Sequence, residues 1–312
     1  MTDPIVLPAG LALAVIAFLL ALLPAGLFLW IWYLRRHDRA VPGQTVALAF
    51  GVGLALVIPA FWIEDFIKQM WELAWPATAH YFEGAVLPLL NIRDIIFPAL
   101  ATFLVVALVE EGLRYIVLRL WVRYDKRIDQ VFDGLVLGVA AGLGFATLEN
   151  TVYFLNLFQA GNFDTLVFVF FLRFLISTLA HVTFGGLMGT LIARGNFDLY
   201  RPRGWFLQAF LVSWFLHGMY DLLLGLNQSF YAVLILLPGL SVLITWQKRR
   251  EFFILHRKDG RFLVSEQPPE TGQRSVLRRL QKSFASPWNK HAPWLGELKA
   301  RKAISEDNAD ET

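Results

Sequence analysis

Residues 108–115, LVEEGLRY, place Glu110, Glu111 and Arg114 inside an otherwise apolar run, FPALATFLVVALVEEGLRYIVLRLW. An ionisable side chain in hydrocarbon costs roughly 2.5–3.5 kcal/mol on insertion scales, so it persists where it meets a partner or does chemistry. The pattern recurs in three more apolar stretches. GFATLENTVYF holds Glu149 and Asn150, RFLISTLAHVTFGG holds Arg173 and His181, and FLHGMYDLL holds His217 and Asp221. His217 and Asp221 are four apart and share one helical face. Imidazole and carboxylate are the usual ligands of a catalytic zinc. A glutamate beside such a site can take a proton from the attacking water in metal-assisted hydrolysis. These residue types therefore outline a His/His/carboxylate site for a divalent metal, with a spare glutamate as base. Glu111 and Arg114, three apart, can neutralise each other on one helix.

Other hydrolytic arrangements fit less well. The soluble zinc-protease signature H-E-x-x-H is absent. Tyr220-Asp221 looks like half of an intramembrane aspartyl pair, but no G-x-G-D follows, and Asp133 falls at the opposite membrane face. Ser213 and His217 are four apart and could form a dyad, which would leave the glutamates unexplained.

The elements that must carry these groups are read from composition. The chain has 312 residues, 56% of them hydrophobic, and a mean hydropathy of +0.52. A soluble domain is about 45–50% apolar. Seven apolar segments stand out, near 5–34, 45–63, 95–120, 131–158, 165–193, 204–226 and 229–246. Each is long enough to cross about 30 Å of hydrocarbon as a helix. The expected fold is all-α, a polytopic bundle of seven transmembrane helices. Alternate loops are rich in Lys and Arg: Arg35, Arg36 and Arg39; Arg123, Lys126 and Arg127; Arg194, Arg201 and Arg203; Lys248, Arg249 and Arg250. The positive-inside rule then puts the N-terminus outside and the C-terminus in the cytosol. The opening MTDP has no positive region, so the first segment is expected to remain as a helix and not to be cleaved. There is no cysteine, which excludes disulfides and thiolate chemistry. Half of the Lys and Arg lie after residue 246, so the net charge of +3 reflects topology and not nucleic-acid binding. Counted from the segment midpoints, Glu110, Glu149, His181, His217 and Asp221 can share one layer.

Residues 1–246 form the expected membrane domain, with small residues in helices four and five that allow close packing in lipid. The 64–84 stretch, EDFIKQMWELAWPATAHYFEG, suggests a separate helix lying on the outer surface. Residues 247–312 form a basic cytosolic tail, partly disordered. Within it, 274–284 suits a short amphipathic helix that binds anionic lipids.

Four of these patterns together carry a likeness. Glu110-Glu111-x-x-Arg114, Phe145-x-x-x-Glu149-Asn150, Arg173 with His181, and His217-x-x-x-Asp221, in that order on separate helices, resemble the PrsW family of intramembrane proteases. That family is related to CAAX-processing and bacteriocin-self-immunity proteases. FDGLVLG, 132–138, resembles the segment that opens the helix carrying Phe-x-x-x-Glu. The resemblance covers residues 95–225. It implies a multi-pass metalloprotease of the bacterial cytoplasmic membrane that cleaves a membrane-associated protein, anti-sigma-factor-like regulators being one substrate class. It implies a divalent metal, zinc in the simplest case. Combined with the residue reading, it makes Glu110 the base, or Glu111 if the two are reversed. Glu149, His181 and His217 would hold the metal, and Asp221 would be a further ligand or orient His217. Glu111 and Arg114 would form a supporting ion pair, with Asn150 and Arg173 alongside, and Tyr153 or Asn150 would stabilise the oxyanion. The family pattern usually has Lys where this chain has Arg114, which keeps the charge.

Two other classes are consistent with the residues alone. A transporter or proton-coupled carrier also collects His and carboxylates at the midplane, though no inverted repeat is visible. A non-catalytic scaffold or sensor would act through its tail, and Glu110→Gln would leave it unaffected.

Overall fold

Long apolar runs favour helices, because only a helix or a closed barrel satisfies every backbone group in lipid. A computed structural model describes residues 9–34, 41–76, 78, 92–125, 127–128, 130–161, 163–197, 202–248, 255–258 and 261–264. Helix α1, Ala9–Leu29, continues through a π-turn at Trp30–Leu34. Helix α2 is Gly43–Ala74. Helices α3, Arg93–Ala101, and α4, Ala107–Tyr124, are joined end to end by a π-turn at Thr102–Val106. Helix α5 is Val131–Gln159. Helices α6, Phe163–Leu172, and α7, Thr178–Phe197, are joined by a π-turn at Arg173–Ser177. Helices α8, Pro202–Gly225, and α9, Ser229–Lys248, complete the bundle. Among the described residues, seven helical stretches are long and apolar enough to cross a membrane.

One expectation is corrected. The helix expected to lie on the outer surface from Glu64 onward is not a separate element, because α2 runs unbroken from Gly43 to Ala74. The polar stretch stays helical through pairs four residues apart. Gln69 Nε2 donates to Asp65 at 2.7 Å, and Lys68 Nζ lies 3.7 Å from Glu72. The helix stops at Trp75, the residue before Pro76, where the α conformation is disfavoured. Glu64 thereby stays on a membrane-spanning helix.

Helix α5 is nearly enveloped, whereas each other span leaves most of its surface free. Its glycines explain this. A Cβ added to Gly138 would stand 2.0 Å from the Gly185 carbonyl oxygen, and one on Gly189 would stand 2.0 Å from that of Gly134. At the same seam, a Cβ on Gly142 would meet the His181 carbonyl oxygen at 2.4 Å. On the other side of α5, a Cβ on Gly53 of α2 would lie 2.0 Å from the Ala141 carbonyl oxygen. Backbones in lipid approach this closely only where side chains are missing. The large apolar side chains turned outward, such as Leu19, Phe61, Ile116 and Phe168, face the surroundings that a bilayer would supply.

Helix α5 begins with a reciprocal cap, in which the Gln130 backbone N–H donates to Asp133 Oδ2 at 3.0 Å. Asp133 thus serves the helix start. Just before it, Arg127 donates to Asp125 from Nε at 2.9 Å and Nη2 at 2.6 Å. These bonds hold the Asp125 carboxyl well below the usual carboxylate range. Beyond the bundle, Leu255–Lys258 pairs antiparallel with Arg261–Val264 in a short hairpin that the sequence reading did not anticipate. The amphipathic helix expected at 274–284 lies outside the described residues.

Candidate active site

The glycine seam between α5 and α7 sets His181 beside Glu149. His181 Nε2 lies 2.8 Å from Glu149 Oε2. The other carboxylate oxygen, Oε1, accepts from Arg173 Nη2 at 2.6 Å. Arg173 is oriented in turn: its Nε donates to Asn150 Oδ1, and its guanidinium lies 3.7 Å from the Tyr153 ring centroid. Asn150 Nδ2 donates to Thr178 Oγ1 at 3.3 Å. Both ends of the Asn150 amide are therefore occupied, which leaves Tyr153 as the freer of the two groups named for the oxyanion.

The second half of the site joins α4 to α8. Glu111 Oε1 accepts from Arg114 Nη1 and from His217 Nδ1 at 2.8 Å. Glu111 and Arg114 are fully buried, and the guanidinium sits 4.6 Å above the Phe145 ring. His217 Nε2 points the other way, 3.1 Å from Asp221 Oδ2 and 3.8 Å from Glu110 Oε2. Glu110 Oε2 is also 3.8 Å from Arg114 Nη2 and has no hydrogen-bond partner. Of the adjacent glutamates, Glu111 thus anchors a histidine from behind, while Glu110 faces the same space as His217 Nε2. The two imidazole centroids are 5.8 Å apart, each backed by a phenyl ring: Phe145 stacks on His181 and Phe184 on His217. The Ser213–His217 dyad does not form, because Ser213 Oγ donates to the Phe184 carbonyl at 3.0 Å.

His217 Nδ1 pairs with Glu111, so Nε2 is the ring nitrogen that faces Asp221 Oδ2 and Glu110 Oε2. In the neutral tautomer with its proton on Nδ1, Nε2 would offer a lone pair to a cation there. The carboxylates of Glu110, Glu111, Glu149 and Asp221 each lie within 3.8 Å of an imidazole or a guanidinium of His181, His217, Arg114 or Arg173. Imidazole with carboxylate is donor chemistry that suits a divalent ion. Among the described residues, no three His, Asp or Glu side chains are placed so that they could hold a metal ion as they stand. The cluster is most open at Asp221 and Glu149, whose side chains are 28% and 26% exposed, against 4% for His217. A substrate would therefore approach from that side.

All nine residues singled out in the sequence, Glu110, Glu111, Arg114, Glu149, Asn150, Arg173, His181, His217 and Asp221, fall in these two connected groups.

Comparison with known proteins adds the lineage. A family model described as PrsW family intramembrane metalloprotease matches residues 41–246. The chain is 30% identical over 193 residues to Protease PrsW of Geobacillus kaustophilus (strain HTA426), covering 62% of this chain and 72% of the relative. It is 27% identical over 234 residues to Protease PrsW of Clostridioides difficile (strain 630), covering 74% and 87%. Over 194 residues it is 27% identical to Protease PrsW of Bacillus subtilis (strain 168), covering 62% and 75%. No solved structure matches the chain.

Proposed function

The chain belongs to the PrsW family of intramembrane metalloproteases, and from that membership we propose that it hydrolyses a peptide bond of a membrane-associated protein with Glu110 as the base. Membership decides for a protease over a carrier or a scaffold, and the seven apolar spans make it a multi-pass integral membrane protein. The observation that carries the assignment of roles is the convergence of Glu110 Oε2 and Asp221 Oδ2 on His217 Nε2, behind which Glu111 grips Nδ1.

Glu149, His181, His217 and Asp221 would hold the metal, with zinc the ion proposed. A bound divalent ion acts as a Lewis acid, polarising the scissile carbonyl and lowering the pKa of water. Glu110 takes a proton from the attacking water as its oxygen bonds to the carbonyl carbon. The same carboxyl then gives a proton to the nitrogen as the C–N bond breaks. Glu111 keeps His217 in one tautomer and orientation, which is the usual work of a carboxylate behind a ligand histidine. Arg114 neutralises Glu111 from within the core. Arg173, steadied by Asn150, holds Glu149 in place. Burial keeps bulk water from competing with the single water the reaction needs. An anti-sigma-factor-like membrane regulator is the proposed substrate class.

The test is metal content of the detergent-purified protein beside His181→Ala and His217→Ala, together with cleavage of a membrane-spanning reporter peptide. About one zinc per chain, lost in both variants, is expected. Glu110→Gln is expected to keep the metal and to lower the cleavage rate by about 10²- to 10⁴-fold. Zinc-free wild-type protein that stays zinc-free after zinc is added back would overturn the reading.

A further inference from the structure

We propose, resting on the protease reading given above, that Thr178 is a positioning residue whose hydroxyl closes a ring of hydrogen bonds and so holds Arg173 on Glu149. The ring begins at the π-turn. Over Arg173–Ser177 the helix widens, and the Thr178 N–H meets the Arg173 carbonyl five residues back. The Thr178 hydroxyl donates to that same carbonyl at 2.9 Å. Its oxygen accepts from Asn150 Nδ2 at 3.3 Å, and Asn150 Oδ1 accepts from Arg173 Nε. The bonds thus run in one direction, from the Arg173 side chain through Asn150 and Thr178 to the Arg173 main chain.

A hydroxyl suits this place because the group must donate and accept at once. Its proton is committed to the carbonyl, so its oxygen faces Asn150 as an acceptor. Asn150 must then point its amide nitrogen at Thr178 and its oxygen at Arg173. An amide turned the other way would set donor against donor at Arg173. Thr178 and Asn150 are buried, so an amide that lost its partner would stay unpaired at a real cost. The ring stops one bond short of the chemistry. Arg173 Nη2 donates to Glu149 Oε1 at 2.6 Å, and Glu149 Oε2 lies 2.8 Å from His181 Nε2. Without the hydroxyl, Arg173 loses the fixed amide that aims it, and Glu149 loses its steady hold beside His181. Other threonines of α7 are placed differently: Thr183 and Thr190 donate to carbonyls of their own helix, those of Leu179 and Gly186, at 2.8 and 2.7 Å.

The experiment measures kcat and KM for cleavage of a membrane-spanning reporter peptide by the full chain in detergent, for wild type, Thr178→Val, Thr178→Ser and Thr190→Val. Thr190 is the control, a buried hydroxyl of the same helix bonded away from the site. Beside it, thermal midpoints are taken for a double-mutant cycle of Thr178→Val with Asn150→Leu. The expected result is a kcat about tenfold lower in Thr178→Val with KM little changed, and wild-type kcat in Thr178→Ser and Thr190→Val. In the cycle the two losses should not add, since either change opens the same ring. Wild-type kcat in Thr178→Val, or a fall in Thr178→Ser as deep as in Thr178→Val, would overturn the role of the hydroxyl and leave the protease reading standing. Additive losses in the cycle would also overturn it. A wild type that cleaves no reporter would overturn the protease reading, and the ring is then decided by the cycle alone. Should Thr178→Val fail to fold, Thr178→Ala removes the same bonds, and the same outcomes decide.

Discussion

At the scale of single residues, Arg114 is the most exposed to loss, because it is wholly buried and its partner Glu111 is too. Removing one member of a buried pair strands the other, at a cost of about 3–5 kcal/mol. Arg114→Gln is therefore expected to lower the thermal midpoint in detergent sharply, while Glu111→Gln with Arg114→Met together should recover much of the difference. Arg114→Lys should fall between, since an ammonium keeps the charge without the planar fork. Midpoints equal to wild type in all three would refute the pairing. The residues of this cluster were legible in the sequence because charge inside an apolar run is conspicuous. Which of the adjacent Glu110 and Glu111 backs His217 was not legible. Adjacent residues on a helix point about 100° apart, and only the position of His217 tells which one lies behind the ring.

At the scale of elements, the seam between α5 and α7 sets the spacing on which His181 and Glu149 depend. Gly138→Val is expected to prevent normal assembly, because its Cβ would meet the Gly185 carbonyl at 2.0 Å. Gly51→Ala, with nothing within 4 Å of its added Cβ, should fold as wild type. Folded yield and midpoint from size-exclusion and thermal scans distinguish the two. The role of these glycines in packing was readable from their recurrence in helices four and five. The π-turns at Thr102–Val106 and Arg173–Ser177 were not, because a widened turn has no side-chain signature. They lie one turn or so before Glu110 and at Arg173 itself. The first is fastened to α8 by Trp214 Nε1–H, which donates to the Phe103 carbonyl at 2.7 Å. The full length of α2 is hidden for a simpler reason: polarity from Glu64 onward reads as the edge of the membrane, while pairing along the helix keeps it going.

At the scale of the whole molecule, seven spans follow from hydropathy alone, and their orientation is proposed from the basic loops: N-terminus outside and C-terminus in the cytosol. The chain has no cysteine, so single introduced cysteines report without background. Gln159→Cys should react with an impermeant maleimide in intact cells, and Arg127→Cys only after permeabilisation. The reverse pattern would invert the topology. The envelopment of α5 also bears on how the chain is made. When this helix leaves the ribosome, α7 has not been synthesised. Its glycine face then has no backbone to meet, and Glu149 has no Arg173 to bind. The fourth span is thus a poor tenant of lipid until the fifth arrives. A nascent chain halted after Gln159 would carry an unsatisfied helix, held by the insertion machinery or handed to degradation. Completion of the fifth span is the point at which the protein becomes at home in the bilayer.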